Sequence, residues 1–295
     1  MDFVRGAPGT GWPRSYWPRS YNRARIIDLV SWLGGHTIVA LDASGLTGVG
    51  LLRGLRRREV RTAVRVPLEP GALVPDPVES SLKHPPAVKE ALLELLGRLG
   101  RPPRATLVLP MGLARLALLD PPPQTEAREY ARFRLGPTLP FASEDAIVDV
   151  LPAGRSRVLA AAIRREVVAA YEDLAASCGL GLERIDLMPL RAVAARRVSG
   201  PGSGLDVILG DRAFAVLLHE QEEIQAFHLR WREPGPADHG RIVRVVEQTG
   251  RDHGGAVAPR VLVLGEGGRE LAEALLARGR PAQAGSEMAF LGAAA

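Results

Sequence analysis

Three turns gather the side chains and backbone positions that could do chemistry. The first, Leu41-Asp42-Ala43-Ser44-Gly45, puts a carboxylate at the end of an apolar run and a hydroxyl two residues on. The second, Val207-Ile208-Leu209-Gly210-Asp211, sets a glycine beside a carboxylate. The third, Leu264-Gly265-Glu266-Gly267-Gly268, is a glycine-rich strand-to-helix joint. Asp42 is either a turn residue that caps its own loop or a ligand-facing acid, and the sequence leaves both readings open. Gly265, Gly267 and Gly268 are either the tight turn such a joint needs or a place where backbone approaches a ligand closely.

Other combinations exclude familiar chemistry. Ser44 is not in a Gly-x-Ser-x-Gly elbow, no P-loop pattern occurs, and no hydrolase triad can be assembled. Asp238-His239 and Asp252-His253 stand 14 residues apart at opposite ends of one predicted helix. That is roughly 21 Å, too far to share a metal, so both pairs read as loop polar groups. His36, His84, His219 and His228 have no ligand spacing between them. The lone Cys178 excludes an internal disulfide and a multi-cysteine zinc site. It falls on a helix face with Tyr171 and Leu174 and reads as an inert thiol.

The 295 residues are 46% hydrophobic and 24% charged, which excludes a largely disordered or fibrous chain. Net charge is +5, but only Lys83 and Lys89 among 38 basic residues are lysines, and the arginines are scattered among 33 acids. A nucleic-acid binder concentrates its cations in a stripe, so nucleic acid is not an expected partner. The most apolar stretch, Leu29 to Leu46, contains Gly34-Gly35, His36 and Asp42, which a lone membrane-spanning helix would bury at high cost. The first 25 residues have no apolar core of the kind a secretory signal needs. In residues 1–23, Trp12, Tyr16, Trp17 and Tyr21 alternate with arginines. The segment reads either as a disordered tail or as one that docks on an anionic membrane surface.

Periodicity supplies the elements that must position the turns. Arg25 to Leu33 has helical spacing. Strands are predicted over 36–42, 46–53 and 59–66, with Arg56, Arg57 and Arg58 as a solvated hairpin tip. The proline-rich 67–85 reads as loop, 86–100 as helix and 105–109 as a buried strand. Strands over 113–119, 146–151 and 157–163 flank a helix at 125–135. A helix over 164–177, a strand over 184–187 and a helix over 189–197 follow, then a flexible Ser-Gly-Pro joint at 199–204. The last third repeats the opening: strands at 205–209, 213–219 and 223–230, a helix from 241, a strand at 260–264 and a helix at 269–278. Three strands, a helix, a strand and a helix thus occur twice, the first copy being interrupted by an insertion over about 110–163.

This duplicated α/β unit, with a glycine turn after its first strand, resembles the actin-like (ribonuclease H-like) ATPase superfamily. The run from Asp120-Pro-Pro-Pro through EAREYARFRL to Leu139-Pro140-Phe141 and Glu144-Asp145 resembles the inserted domain of the PilM family. That family is the cytoplasmic actin-like component of the type IV pilus assembly platform. The stretch 158–194 resembles the same family, and the cytoplasmic part of the secretion protein GspL is similar. The resemblance covers about 36–292. It implies duplicated actin-like lobes with an inserted α+β subdomain: a tail and short helix over 1–35, a first lobe over 36–198, and a second over 199–295.

The resemblance also implies an ATP cleft. Its phosphates would meet the first two turns, and its adenosine the glycine-rich one. The positions carried over are Asp42, Ser44, Gly45, Gly210, Gly265, Gly267 and Gly268. Three departures stand out. The family's Asp-x-Gly becomes Asp-x-Ser, the basic residue expected a few positions later is Val49 or Gly50, and the second carboxylate is Ile208. Asp211 lies on the wrong side of Gly210 and is not expected to reach the same ligand position. Weak or no binding of ATP and magnesium, and no catalysis, is therefore expected. By resemblance, the chain is a scaffold of a pilus or type II secretion platform, cytoplasmic and peripheral to the inner membrane. Its partner would be the cytoplasmic N-terminal tail of a PilN-like protein, docked between the insertion and the first lobe. The alternative is an active ATPase or small-molecule kinase of the same superfamily, with Asp206 or Asp211 as the nearby carboxylates.

Overall fold

The computed structural model describes residues 36–53, 58–198, 203–221, 223–232, 238–253 and 260–285. All belong to the larger of the two units into which the chain divides, Gly35–Ala295, the other being Met1–Gly34. The expected tail, the helix over 25–33, Arg56 and Arg57, and residues 199–202 of the joint lie outside the described residues.

The first sheet opens as a meander of β1 (His36–Asp42), β2 (Gly45–Arg53) and β3 (Arg58–Pro67). The two-residue turn Ala43-Ser44 fixes Asp42 opposite Gly45, and the β2–β3 register sets Thr47 opposite Arg65. Helix α1 (Pro85–Arg98) leads into β4 (Arg104–Leu109), which runs parallel to β1. β8 (Gly181–Leu187) closes the order β3-β2-β1-β4-β8. β1 is an unbroken apolar run because it is central and covered on both faces.

The second sheet repeats this plan. β9 (Gly204–Leu209), β10 (Ala213–Glu220) and β11 (Glu223–Trp231) form the meander. Helix α5 (His239–Asp252), β12 (Val261–Leu264), helix α6 (Gly268–Leu276) and β13 (Ala282–Ala284) follow. The order β11-β10-β9-β12-β13 matches the first sheet strand for strand, with the same parallel and antiparallel pairings. The duplicated unit read from the sequence is therefore the architecture, with β13 as the added member. Three residues of Ala-Gln-Ala carry no apolar pattern by which to read it.

Between β4 and helix α3 (Arg165–Ser177) the chain builds a small α+β subdomain. β5 (Ala114–Leu119), β6 (Ala146–Pro152) and β7 (Val158–Arg164) make an antiparallel sheet of order β5-β7-β6. Helix α2 (Ala127–Leu135) covers one face, with Ala131 and Leu135 against Ala160 and Ala162. Glu126 caps α2 by accepting a hydrogen bond from the Glu129 N–H. Helix α4 (Met188–Val198) follows β8.

Strand alternation sorts the core. Val39 and Leu41 point into the layer under α1 and α3, with Leu92, Leu95 and Tyr171. Ile38 and Ala40 point the other way and share a layer with Met188 and Val193 of α4 and with Ile208, Ala215 and Leu264 of the second sheet. The two lobes thus meet through apolar packing. No helix among the described residues is long and apolar enough to cross a membrane.

Tyr171 on α3 is fully buried, and its hydroxyl lies 2.9 Å from the Ser81 hydroxyl, itself buried in the proline-rich loop. Burial pushes the phenol up to about 12 despite that partner. Tyr171→Phe is expected to lower stability by about 1–2 kcal/mol in denaturant unfolding, because it orphans a buried hydroxyl. Adding Ser81→Ala should recover part of that loss, a coupling readable in a double-mutant cycle.

Candidate functional site

The three turns lie at the ends of β1, β9 and β12, and the structure brings them into contact where the lobes meet, the position of the expected cleft. Gly210 abuts the first lobe: a Cβ there would fall 2.8 Å from the Met111 methyl, just beyond β4. Gly265, at φ +103°, has a stronger requirement, since an added Cβ would come within 2.2 Å of the Leu209 carbonyl oxygen. Gly267, at φ +78°, precedes helix α6 in the left-handed region. Gly45 is held by sheet packing, with Val66 O 2.7 Å from where its Cβ would be. Gly268 makes ordinary contact with Val263. Sheet packing and strand–helix geometry thus account for Gly45, Gly265 and Gly267 without a ligand, while Gly268 has room for a side chain.

Asp42 faces Asp211 across the cleft. Enclosure, then the Asp211 carboxylate opposite it, push the Asp42 acid from 3.8 up to about 8. The Ala43 N–H, 2.9 Å from Asp42 Oδ1, and the Asp211 N–H work in the opposite direction. Asp211, although it follows Gly210 rather than preceding it, thus reaches Asp42. Gly210 N–H bonds Ala213 O at 2.9 Å, which places Asp211 and Arg212 at the tip of the β9–β10 hairpin. The packing of that hairpin on the first lobe turns Asp211 toward Asp42. Ile208 is fully buried in the layer between the lobes, so its position serves packing.

The second bridge is Ser44–Arg65–Glu266. Arg65 Nη2 donates to Ser44 Oγ at 2.8 Å and to Glu266 Oε2 at 3.0 Å, and Ser44 Oγ donates to the same Glu266 oxygen at 3.1 Å. A basic side chain thus stands beside the first turn, on β3 rather than at Val49 or Gly50 of β2. Sequence reading missed both Arg65 and Glu266. The first is one of several arginines on an alternating strand, and the second lies 201 residues further on. Only the β2–β3 register, which puts Arg65 level with Thr47 beside the first turn, points to it.

The remaining candidates stand elsewhere. Asp206 is buried beside His219, 3.5 Å away, and is part of a sheet interior. Asp238-His239 and Asp252-His253 mark the two ends of α5, and His253 Nδ1 is 3.3 Å from Thr249 O. Cys178 is half-buried rather than enclosed, and burial raises its thiol. His36 bridges Glu183 and Thr106, each at 3.2 Å. Asp186, buried on β8, is raised by burial against the opposing pull of Arg184 and Arg191. Among the described residues no group of three or more His, Cys, Asp or Glu side chains could hold a metal ion. Two facing carboxylates suit magnesium, whose other ligands are water and phosphate oxygens. Asp42 and Asp211 are the residues that would hold it.

Because the acid is raised in the folded state, its contribution to stability is full below 3.8 and is lost as pH rises through about 8. Asp42→Asn is therefore expected to stabilise the protein by about 1–3 kcal/mol at pH 8. The gain should shrink toward pH 4, as read from urea unfolding across that range.

No known family profile matches the chain, and no curated protein matches it. Solved structures do. A PilM–PilN type IV pilus biogenesis complex contains a chain 17% identical, with TM-score 0.68, covering 86% of this chain and 89% of that one. The cytoplasmic domain of EpsL, an inner-membrane component of the type II secretion system of Vibrio cholerae, is 14% identical with TM-score 0.52, covering 78% and 82%. A Bacteroides thetaiotaomicron protein of unknown function with an actin-like ATPase fold is 10% identical with TM-score 0.59, covering 90% and 98%. At these identities the likeness is one of fold, and the fold is actin-like.

Proposed function

From an actin-like fold carrying its own α+β insertion, we propose a non-catalytic scaffold of a type IV pilus or type II secretion inner-membrane platform. It would work at the cytoplasmic side and grip the cytoplasmic tail of a PilN-like, membrane-anchored partner. The observation that carries this reading is the extent of the match: most of this chain aligns with most of a chain from a PilM–PilN complex. The tail would dock between the insertion and the first lobe, with a few apolar anchors in the manner of peptide-in-groove recognition. The cleft supports a non-catalytic role, since Arg65 there already holds a carboxylate of the chain itself.

One observation favours a second reading, a magnesium-dependent nucleotide binder: Asp42 and Asp211 face each other. Magnesium with ATP separates the two. A ligand at a hundredfold excess over its dissociation constant adds about 2.7 kcal/mol of stability. The scaffold reading expects no change in melting temperature at millimolar magnesium-ATP, and a rise of several degrees would support the nucleotide binder.

Partner docking has its own test. The full chain should be retained by an immobilised cytoplasmic tail of a single-span membrane protein encoded beside it, and released by the free tail peptide. Absence of retention on every such tail would remove the scaffold reading's main support.

A further inference from the structure

The cleft of this chain holds an anion that belongs to the chain. Glu266 Oε2 accepts two hydrogen bonds, from Arg65 Nη2 at 3.0 Å and from Ser44 Oγ at 3.1 Å. A guanidinium and a turn hydroxyl converging on one oxygen form the donor set that also suits a phosphate oxygen. The three groups come from the first turn, from β3, and from the glycine-rich turn of the other lobe, so the contact closes the cleft from both sides.

We propose that Arg65 and Ser44 form an anion subsite for a phosphate-bearing ligand, and that Glu266 fills it from within. An incoming phosphate must displace the Glu266 carboxylate. The chain is therefore self-plugged, which weakens ligand binding without deleting the donors. The plug is replaceable, because Arg65 and Glu266 keep 40% and 61% of their side-chain surface exposed. An exposed pair of this kind is only weakly held. Magnesium accompanies each probe in the assay to offset its charge.

The inference concerns the cleft and is independent of partner docking, so its failure would leave the scaffold reading standing. The test is a double-mutant cycle on the full chain, with tripolyphosphate and ATP as probes, each with magnesium, and binding read by calorimetry. Glu266→Gln keeps the shape and removes the charge. It is expected to tighten the apparent dissociation constant about fivefold, the upper range for an exposed ion pair. Combining it with Arg65→Ala should abolish that gain, and Ser44→Ala should weaken binding in the Glu266→Gln background. A gain for both probes assigns the subsite to phosphate alone, and a gain confined to ATP assigns it to the phosphates of a nucleotide. The proposal is overturned if Glu266→Gln leaves affinity unchanged or undetectable. It is equally overturned if the gain persists without Arg65, since the charge would then act only through its general field.

Discussion

Ile38, Ala40 and Val108 of one sheet share a single apolar layer with Ile208, Ala215 and Leu264 of the other, with Met188 and Val193 of α4 wedged among them. Burial of this surface, at about 25 cal/mol per Å², is the attraction that holds the two halves face to face. Every feature of the cleft depends on it. The turns that end β1, β9 and β12 meet because their strands run out of this layer, and Gly210 can rest on Met111 because the layer brings the lobes that close. Once the lobes are apposed, enclosure and the neighbouring Asp211 carboxylate raise the cost of ionising Asp42. Arg65 and Glu266, from opposite lobes, add a contact of opposite charges beside them.

This order of dependence explains the departure at Ile208. A carboxylate there would sit inside the layer, next to side chains that exclude water, where an unpaired charge is expensive. The chain instead carries its second acid at the hairpin tip, where Asp211 reaches the cleft without entering the core. Likewise the cation sits on β3 rather than on β2, whose Val49 is fully buried in the same layer.

What was legible in the sequence follows from the same physics. β1, β4, β9 and β12 are central strands, and central strands must be apolar runs, so both copies of the repeat and their order could be read directly. The insertion could be read because α2 alternates Ala131 and Leu135 with arginines and acids at helical spacing. β13 could not, since an edge strand of three residues, Ala-Gln-Ala, needs no pattern. The cleft partners were hidden for a different reason. Asp211 counts as misplaced along the chain, and only the docking of the hairpin on the other lobe aims it at Asp42. Arg65 and Glu266 meet through two registers and a lobe contact, none of which leaves a local mark.

The hairpin of β6 and β7 does more than complete the small sheet. Ile224 N–H bonds Ala153 O at 2.7 Å, and Arg157 donates to the carbonyls of Ile224 and Gln225 and to the Gln225 side chain. The otherwise open margin of β11 is thereby stapled to the insertion, which is also rooted in the first lobe through β4 and α3. Any load hung on the insertion is thus shared by both halves of the molecule. A tug on its outer rim strains the staple and the dry layer together, so the insertion behaves as a braced bracket rather than a swinging arm.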